Sequence, residues 1–146
     1  MSTAPPVPAV SAALIARALA AQARAYAPYS KFAVGAAIDM GGEVFEGVNV
    51  ENASYPLCVC AERTAIGVAV ASGRCQRELR AVAVATSASP PSSPCGACRQ
   101  VLFEFAADPS AVVVTAVNPA GEQRSWTLAQ LLPDGFNGRE LPGTEA

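Results

Sequence analysis

The sequence predicts an α/β fold, a mixed sheet covered by helices. Three observations predict it. Helix-spaced Ala/Leu stretches alternate with short β-branched runs along the chain. Gly41-Gly42 joins two strand-like runs as a hairpin. The run Ala111 to Val117 is apolar and β-branched throughout, as a strand buried on both faces should be. At 146 residues the chain is long enough for one domain with its own core.

Residues 1–9 read as a flexible, Pro-rich N-terminal tail, and residues 10–146 as a single domain. From Val10 to Ala27, Leu14, Ile15, Ala18 and Leu19 fall at helix spacing, with Ser11 near the N-cap and Pro28 as the stop. Phe32 to Met40 and Val44 to Val50 form the hairpin strands. Cys60 to Ala71 reads as an apolar helix closed by Gly73. Leu79 to Thr86 is a short strand, followed by a Ser- and Pro-dense loop to Pro94. Cys98 to Ala107 is a further helix, and Ala111 to Val117 the buried strand. After a turn at Asn118 to Gly121 come a short edge strand, Gln123 to Trp126, and a last helical turn, Thr127 to Leu132, stopped by Pro133.

Composition narrows the function. Apolar residues make up 51 % and charged residues 15 %, well under the usual quarter, which excludes intrinsic disorder and suits burial in an oligomer. There is no basic stripe for a nucleic-acid backbone: net charge is −2, and Lys31 is the one lysine. The chain has no histidine. That excludes Ser-His-Asp and Cys-His catalysis and every His-ligated metal site. Five cysteines, an odd number, argue for reduced thiols in the cytoplasm rather than a disulfide scaffold. The N-terminus has no basic n-region, and Arg17 and Arg24 interrupt the apolar stretch behind it, so neither a signal peptide nor a membrane span is expected.

Two segments carry chemistry, Cys60-Ala61-Glu62-Arg63 and Pro94-Cys95-Gly96-Ala97-Cys98. A Cys-x-x-Cys pair alone is either a zinc half-site or a redox pair. A third cysteine before a glutamate shifts the balance, because three thiolates plus one open position suit a catalytic zinc, whereas structural zinc closes with four protein ligands. Cys60 and the Cys95/Cys98 pair stand where helices are expected to begin, and helix N-termini stabilise thiolates. Three thiolates on Zn²⁺ leave a net −1, which those N-termini and Arg63 would offset. In a regular helix, residues two apart point about 200° from one another. Cys60 and Glu62 therefore converge only if Cys60 sits in an irregular first turn.

The pattern Cys-x-Glu followed by Pro-Cys-x-x-Cys resembles the three-Cys form of the zinc deaminase signature. Tyr29 to Ala37 resembles the first strand region of the small cytidine deaminases, Asn49 to Pro56 their nucleoside-binding segment, and Leu131 to Phe136 their C-terminal signature. The resemblance spans about residues 10 to 141, with every motif in order. It implies a three-layer α/β/α fold with a mixed five-stranded sheet. It also implies one Zn²⁺ per chain, held by Cys60, Cys95 and Cys98, and hydrolytic deamination of cytidine and 2′-deoxycytidine in pyrimidine salvage. In that scheme Glu62 moves protons from water to N3 of the cytosine and then to the leaving amine. The backbone of Ala61 contacts the base, Phe32 packs against it, and Asn49 and Glu51 bond the ribose hydroxyls. The small enzymes of this family are homotetramers with shared sites, so Ala53 and Tyr55 would reach a neighbour's site and Phe136 would cover a base from another subunit.

Competing readings are a blasticidin S-type nucleoside antibiotic deaminase, a polynucleotide-editing deaminase and a zinc-stabilised interaction module without catalysis. The Asn-x-Glu pair at Asn49 and Glu51 favours an ordinary nucleoside. An acidic pI of about 5.1 argues against a polynucleotide. Cys58 is expected to pack as a small hydrophobe; as a fourth ligand it would close the metal site. Cys75 is expected to be an inert or exposed thiol.

Overall fold

The computed structural model describes residues 5–74 and 78–143. The first four residues of the expected tail and Cys75 lie outside them. Residues 5–10 carry no regular secondary structure, and the Val10 amide donates to Thr115 Oγ1 at 3.0 Å.

Helix α1 spans Ala12–Gln22, with Ser11 as N-cap accepting the Leu14 amide. It ends short of Pro28. The cause is tertiary: the Tyr26 amide donates to the Asn49 carbonyl and the Tyr26 carbonyl accepts from Glu51, so the backbone is already paired elsewhere. Strands β1 (Gly35–Met40) and β2 (Glu43–Val48) form the expected hairpin, with Gly41 and Gly42 at positive φ in its turn. Helix α2 spans Ala61–Ala71, strand β3 Leu79–Ala85 and helix α3 Gly96–Glu104. Strands β4 (Val113–Val117) and β5 (Gln123–Thr127) follow, then the single turn of α4 (Leu128–Leu131). A capping box starts α4: Thr127 accepts the Gln130 amide, and the Gln130 side chain accepts from the Thr127 amide. Short 3₁₀ turns lie at Tyr55–Leu57 and Gly138–Glu140.

The sheet is five-stranded, ordered β2-β1-β3-β4-β5, with β3 and β4 parallel and the other pairs antiparallel. Helix α3 makes the crossover between the parallel pair, as such a pair requires. Alternation along the central strands separates two cores. Ala36, Ile38, Met40, Val82, Val84 and Val114 face α2, α3 and α4. Ala37, Ala83 and Ala85 face Leu14 and Ala18 of α1. The result is three layers, α/β/α. The α1 side is lined by alanines because the helix lies close: a Cβ on Gly35 would stand 2.3 Å from the Ala18 carbonyl oxygen. On the opposite face, a Cβ on Gly47 of β2 would meet the Ala61 carbonyl oxygen and the Ala65 nitrogen at 2.3 Å each. Gly47 thus lets the first turn of α2 sit directly on the sheet.

Candidate active site

The N-termini of α2 and α3 meet over that face and bring Cys60, Cys95 and Cys98 together. Cys60 is the N-cap of α2, with extended backbone at φ −75° and ψ 155°. This is the irregular first turn that lets it converge with Glu62. Cys95 caps α3 in the same way, at φ −65° and ψ 164°, and its sulfur accepts the Cys98 amide at 3.5 Å. The expected start of this helix at Cys98 therefore moves back to Gly96.

The three Sγ atoms all lie within 4.8 Å of one another, and those of Cys60 and Cys95 are 3.9 Å apart. A tetrahedral zinc with Zn–S bonds of about 2.3 Å places its sulfurs about 3.8 Å apart. Soft thiolates at that spacing fit zinc and suit hard cations poorly. Cys58 is outside the trio; its thiol takes the Asn52 amide at 3.3 Å. The site thus has three thiols and room for a fourth, non-protein ligand.

Charge at the trio is organised by its neighbours. Cys60 is drawn down to about 5, chiefly by a hydrogen bond from Cys98, then by Arg63 and Cys95. Cys98 moves up as the donor in that bond, with burial adding to the effect. Arg63 Nη2 donates to Cys60 Sγ at 3.3 Å, while its buried Nε has no partner among the described residues. Glu62, in the first turn of α2, is only 4 % exposed. Burial pushes its carboxyl above the ordinary range, and the neighbouring Cys60 charge adds to the shift.

A cavity of about 330 Å³ opens onto these groups, near the small end of ligand pockets at about 300–1,000 Å³. Phe32, Asn49, Glu51, Cys60, Ala61, Glu62 and Cys95 all line it. Asn49 and Glu51 keep to one side although β2 ends at Val48, because Val50 between them bridges both Tyr26 and Val59. Asn49 Oδ1 accepts the Val34 amide and Nδ2 donates to the Phe32 carbonyl, both at 2.8 Å. One Nδ2 hydrogen remains for a ligand. Glu51 accepts the Tyr29 amide at 2.9 Å, the Ser30 amide at 3.2 Å and the Ser30 hydroxyl. That hydroxyl is the main reason its carboxyl lies below the ordinary range.

Ala53, Tyr55 and Phe136 do not line this cavity. Tyr55 borders an adjoining one with Tyr29, Ser30, Glu51 and Cys58, and its ring stands edge-on to Tyr29 at 5.9 Å. Phe136 projects, 54 % exposed, from the segment after α4. Ser30, Thr86, Ser92 and Ser93 also line the main cavity, and sequence reading did not single them out. The last three come from the end of β3 and the Ser/Pro loop, and only the folded crossover reveals their direction.

Residues 9–116 match the family model described as the cytidine and deoxycytidylate deaminase zinc-binding region. The chain is 44 % identical over 129 residues to the cytidine deaminase of Sporosarcina psychrophila, covering 88 % of this chain and 92 % of that one. Its structure resembles the crystal structure of cytidine deaminase from Burkholderia pseudomallei, with TM-score 0.78 and 50 % identity, covering 85 % of this chain and 97 % of that one. The crystal structure of the Mycobacterium tuberculosis cytidine deaminase matches at TM-score 0.71 and 40 % identity, covering 85 % and 94 %. A model matched over most of the chain, relatives at this identity and a trio of thiols at zinc-binding spacing beside a buried glutamate agree, and the chain belongs to the cytidine and deoxycytidylate deaminase family.

Proposed function

We propose that this protein hydrolytically deaminates cytidine and 2′-deoxycytidine to uridine and 2′-deoxyuridine with release of ammonia, in pyrimidine salvage. The observation that carries the reading is one cavity lined by both chemistries, the thiols of Cys60 and Cys95 with buried Glu62, and Asn49 with Glu51. Cys60, Cys95 and Cys98 would hold a zinc ion, which would supply Lewis acidity and make the attacking water easier to deprotonate.

The protein's residues do the rest. Glu62 accepts a proton from the attacking water and delivers it to N3 of the cytosine. It then takes the proton of the new C4 hydroxyl and passes it to the amino group; the C4–N bond breaks as C4=O forms, so water and cytidine become uridine and ammonia. Burial, by raising its carboxyl, suits Glu62 to hold a proton between those transfers. Arg63 offsets the excess negative charge of three thiolates through Cys60. Phe32 packs against the base and the Ala61 backbone contacts it. The free Nδ2 hydrogen of Asn49 and the remaining lone pairs of Glu51 match the donors and acceptors of the ribose hydroxyls.

The working unit in this reading is a homotetramer with shared sites, formed by residues 10–146 as one domain. Its support is exposed apolar surface: Tyr26, Tyr55, Leu57 and Phe136 are each more than half exposed. Ala53 and Tyr55 then reach a neighbour's site and Phe136 covers a neighbour's base. We place the enzyme in the cytoplasm, since Cys58, Cys60, Cys95 and Cys98 are free thiols; no helix among the described residues is long and apolar enough to cross a membrane. The test is ammonia release on mixing cytidine with the purified protein loaded to one zinc per chain. Turnover supports the reading; a zinc-loaded protein inert toward cytidine overturns it.

A further inference from the structure

The two residues that follow Cys98 in α3, Arg99 and Gln100, bond partners outside the thiol trio. The guanidinium of Arg99 bonds three oxygens at once: Nε to the Pro94 carbonyl, Nη2 to the Ser93 hydroxyl and Nη1 to the Leu131 carbonyl, each at 2.8 Å. No ion pair among the described residues uses it. Gln100 Nε2 donates to the Phe136 carbonyl at 3.0 Å. Two consecutive side chains of α3 therefore hold both ends of the segment 131–136. Between those anchors Asp134 bends the chain through φ 55°, and Gly135 lies so close to Phe103 of α3 that a Cβ there would come within 2.9 Å.

The Phe136 ring is more exposed than buried, so the core of its own chain does not fix its direction. What fixes it is the backbone, and the backbone is fastened to the helix that carries Cys95 and Cys98. We propose that Arg99 and Gln100 are positioning residues that tie the Phe136-bearing segment to the metal-ligand helix, so that the ring is presented to the neighbouring subunit's site from a fixed position. The inference rests on the deaminase and tetramer reading above, with Phe136 covering a neighbour's base. The two side chains divide the task. Arg99 spans the wall of the cavity at Ser93, the residue before Cys95 and the end of α4, a three-way fork that a lysine cannot copy. Gln100 acts on Phe136 alone.

Gln100→Glu tests this without changing side-chain size. It removes the amide donor and sets a carboxylate against the Phe136 carbonyl. The expected result is a KM for cytidine raised about fivefold, the scale of one lost hydrogen bond, with kcat within about twofold. Zinc stays at one per chain, and amide hydrogen exchange quickens over residues 131–137 while α3 itself stays protected. Because Gln100 acts through Phe136, the substitution adds nothing further in a Phe136→Ala background. Gln100→Ala repeats the measurement without the added charge. An unchanged KM, a parallel loss of kcat and zinc, or effects that add to those of Phe136→Ala overturn the proposal. If the wild-type protein does not deaminate cytidine, the deaminase reading fails separately, and exchange over 131–137 alone decides the tether: faster supports it, unchanged overturns it.

Discussion

Replacing Gly47 by alanine puts the placement of α2 to the test. The added Cβ meets the Ala61 carbonyl oxygen and the Ala65 nitrogen at 2.3 Å each, and both are backbone atoms. No side chain can swing aside, so α2 must lift by about 1 Å to restore ordinary contact. Overpacking of this kind costs about 1–3 kcal/mol. In a domain of this length that lowers Tm by roughly 3–10 °C. The functional effect is larger, because the displaced turn carries Cys60 and Glu62. A misplacement of about 1 Å costs on the order of 100-fold in rate. Gly67, in the same helix, is the control: nothing lies within 4 Å of its built Cβ. Gly67→Ala should stabilise by about 0.5–1 kcal/mol and leave the site intact. Thermal unfolding, zinc content and kcat for cytidine are measured on all three proteins. A Gly47→Ala variant as stable and active as wild type would refute the close-packing account.

Three other outcomes follow from the site and its supports. Cys98→Ser should lose zinc and unfold at lower temperature, since metal binding and folding are coupled; unchanged metal content by atomic absorption would remove Cys98 from the ligand set. Arg63→Gln should keep one zinc per chain yet lose about tenfold or more in kcat, because the cation beside Cys60 is gone; an unaltered kcat rules out that charge role. Arg17, foremost, and Arg24 hold the Glu46 carboxyl below the usual carboxylate range. A depressed folded pKa contributes stability above the unfolded value of about 4.3, and that stability is lost as pH falls through the folded value. Wild type should therefore exceed Glu46→Gln by less than about 1 kcal/mol near neutrality, with the gap closing as pH drops below about 4. Denaturant titrations that show the gap widening in acid would contradict the pairing.

Much of this architecture is legible in the sequence because local signals and tertiary packing agree. The Gly41-Gly42 turn, the apolar run of β4 and the Ser11 cap all appear where propensity places them. Helix ends were less legible. Pro28 is the obvious stop for α1, yet the bridge from Tyr26 to Val50 captures the backbone first. Likewise Cys95 accepts the Cys98 amide and starts α3 earlier than the apolar periodicity suggests. The three thiols and Glu62 were legible as a motif, but their convergence depended on one backbone angle at Cys60. The contacts of Ser30 and Gln100 were not legible, although Ser30 falls in a matched motif. Each acts on a residue more than 20 positions away, and no spacing rule encodes such a contact.

The most direct test of the account compares wild type with Glu62→Gln, measuring ammonia release from cytidine and zinc content in the same samples. The substitution keeps the side chain's size and removes its ability to take and give a proton. Wild type should turn over. The variant should keep one zinc per chain and the wild-type fold while losing at least about 100-fold to 10,000-fold in kcat. A Glu62→Gln protein that retains both zinc and full turnover would show that the buried glutamate moves no proton, and the proposed mechanism would fall.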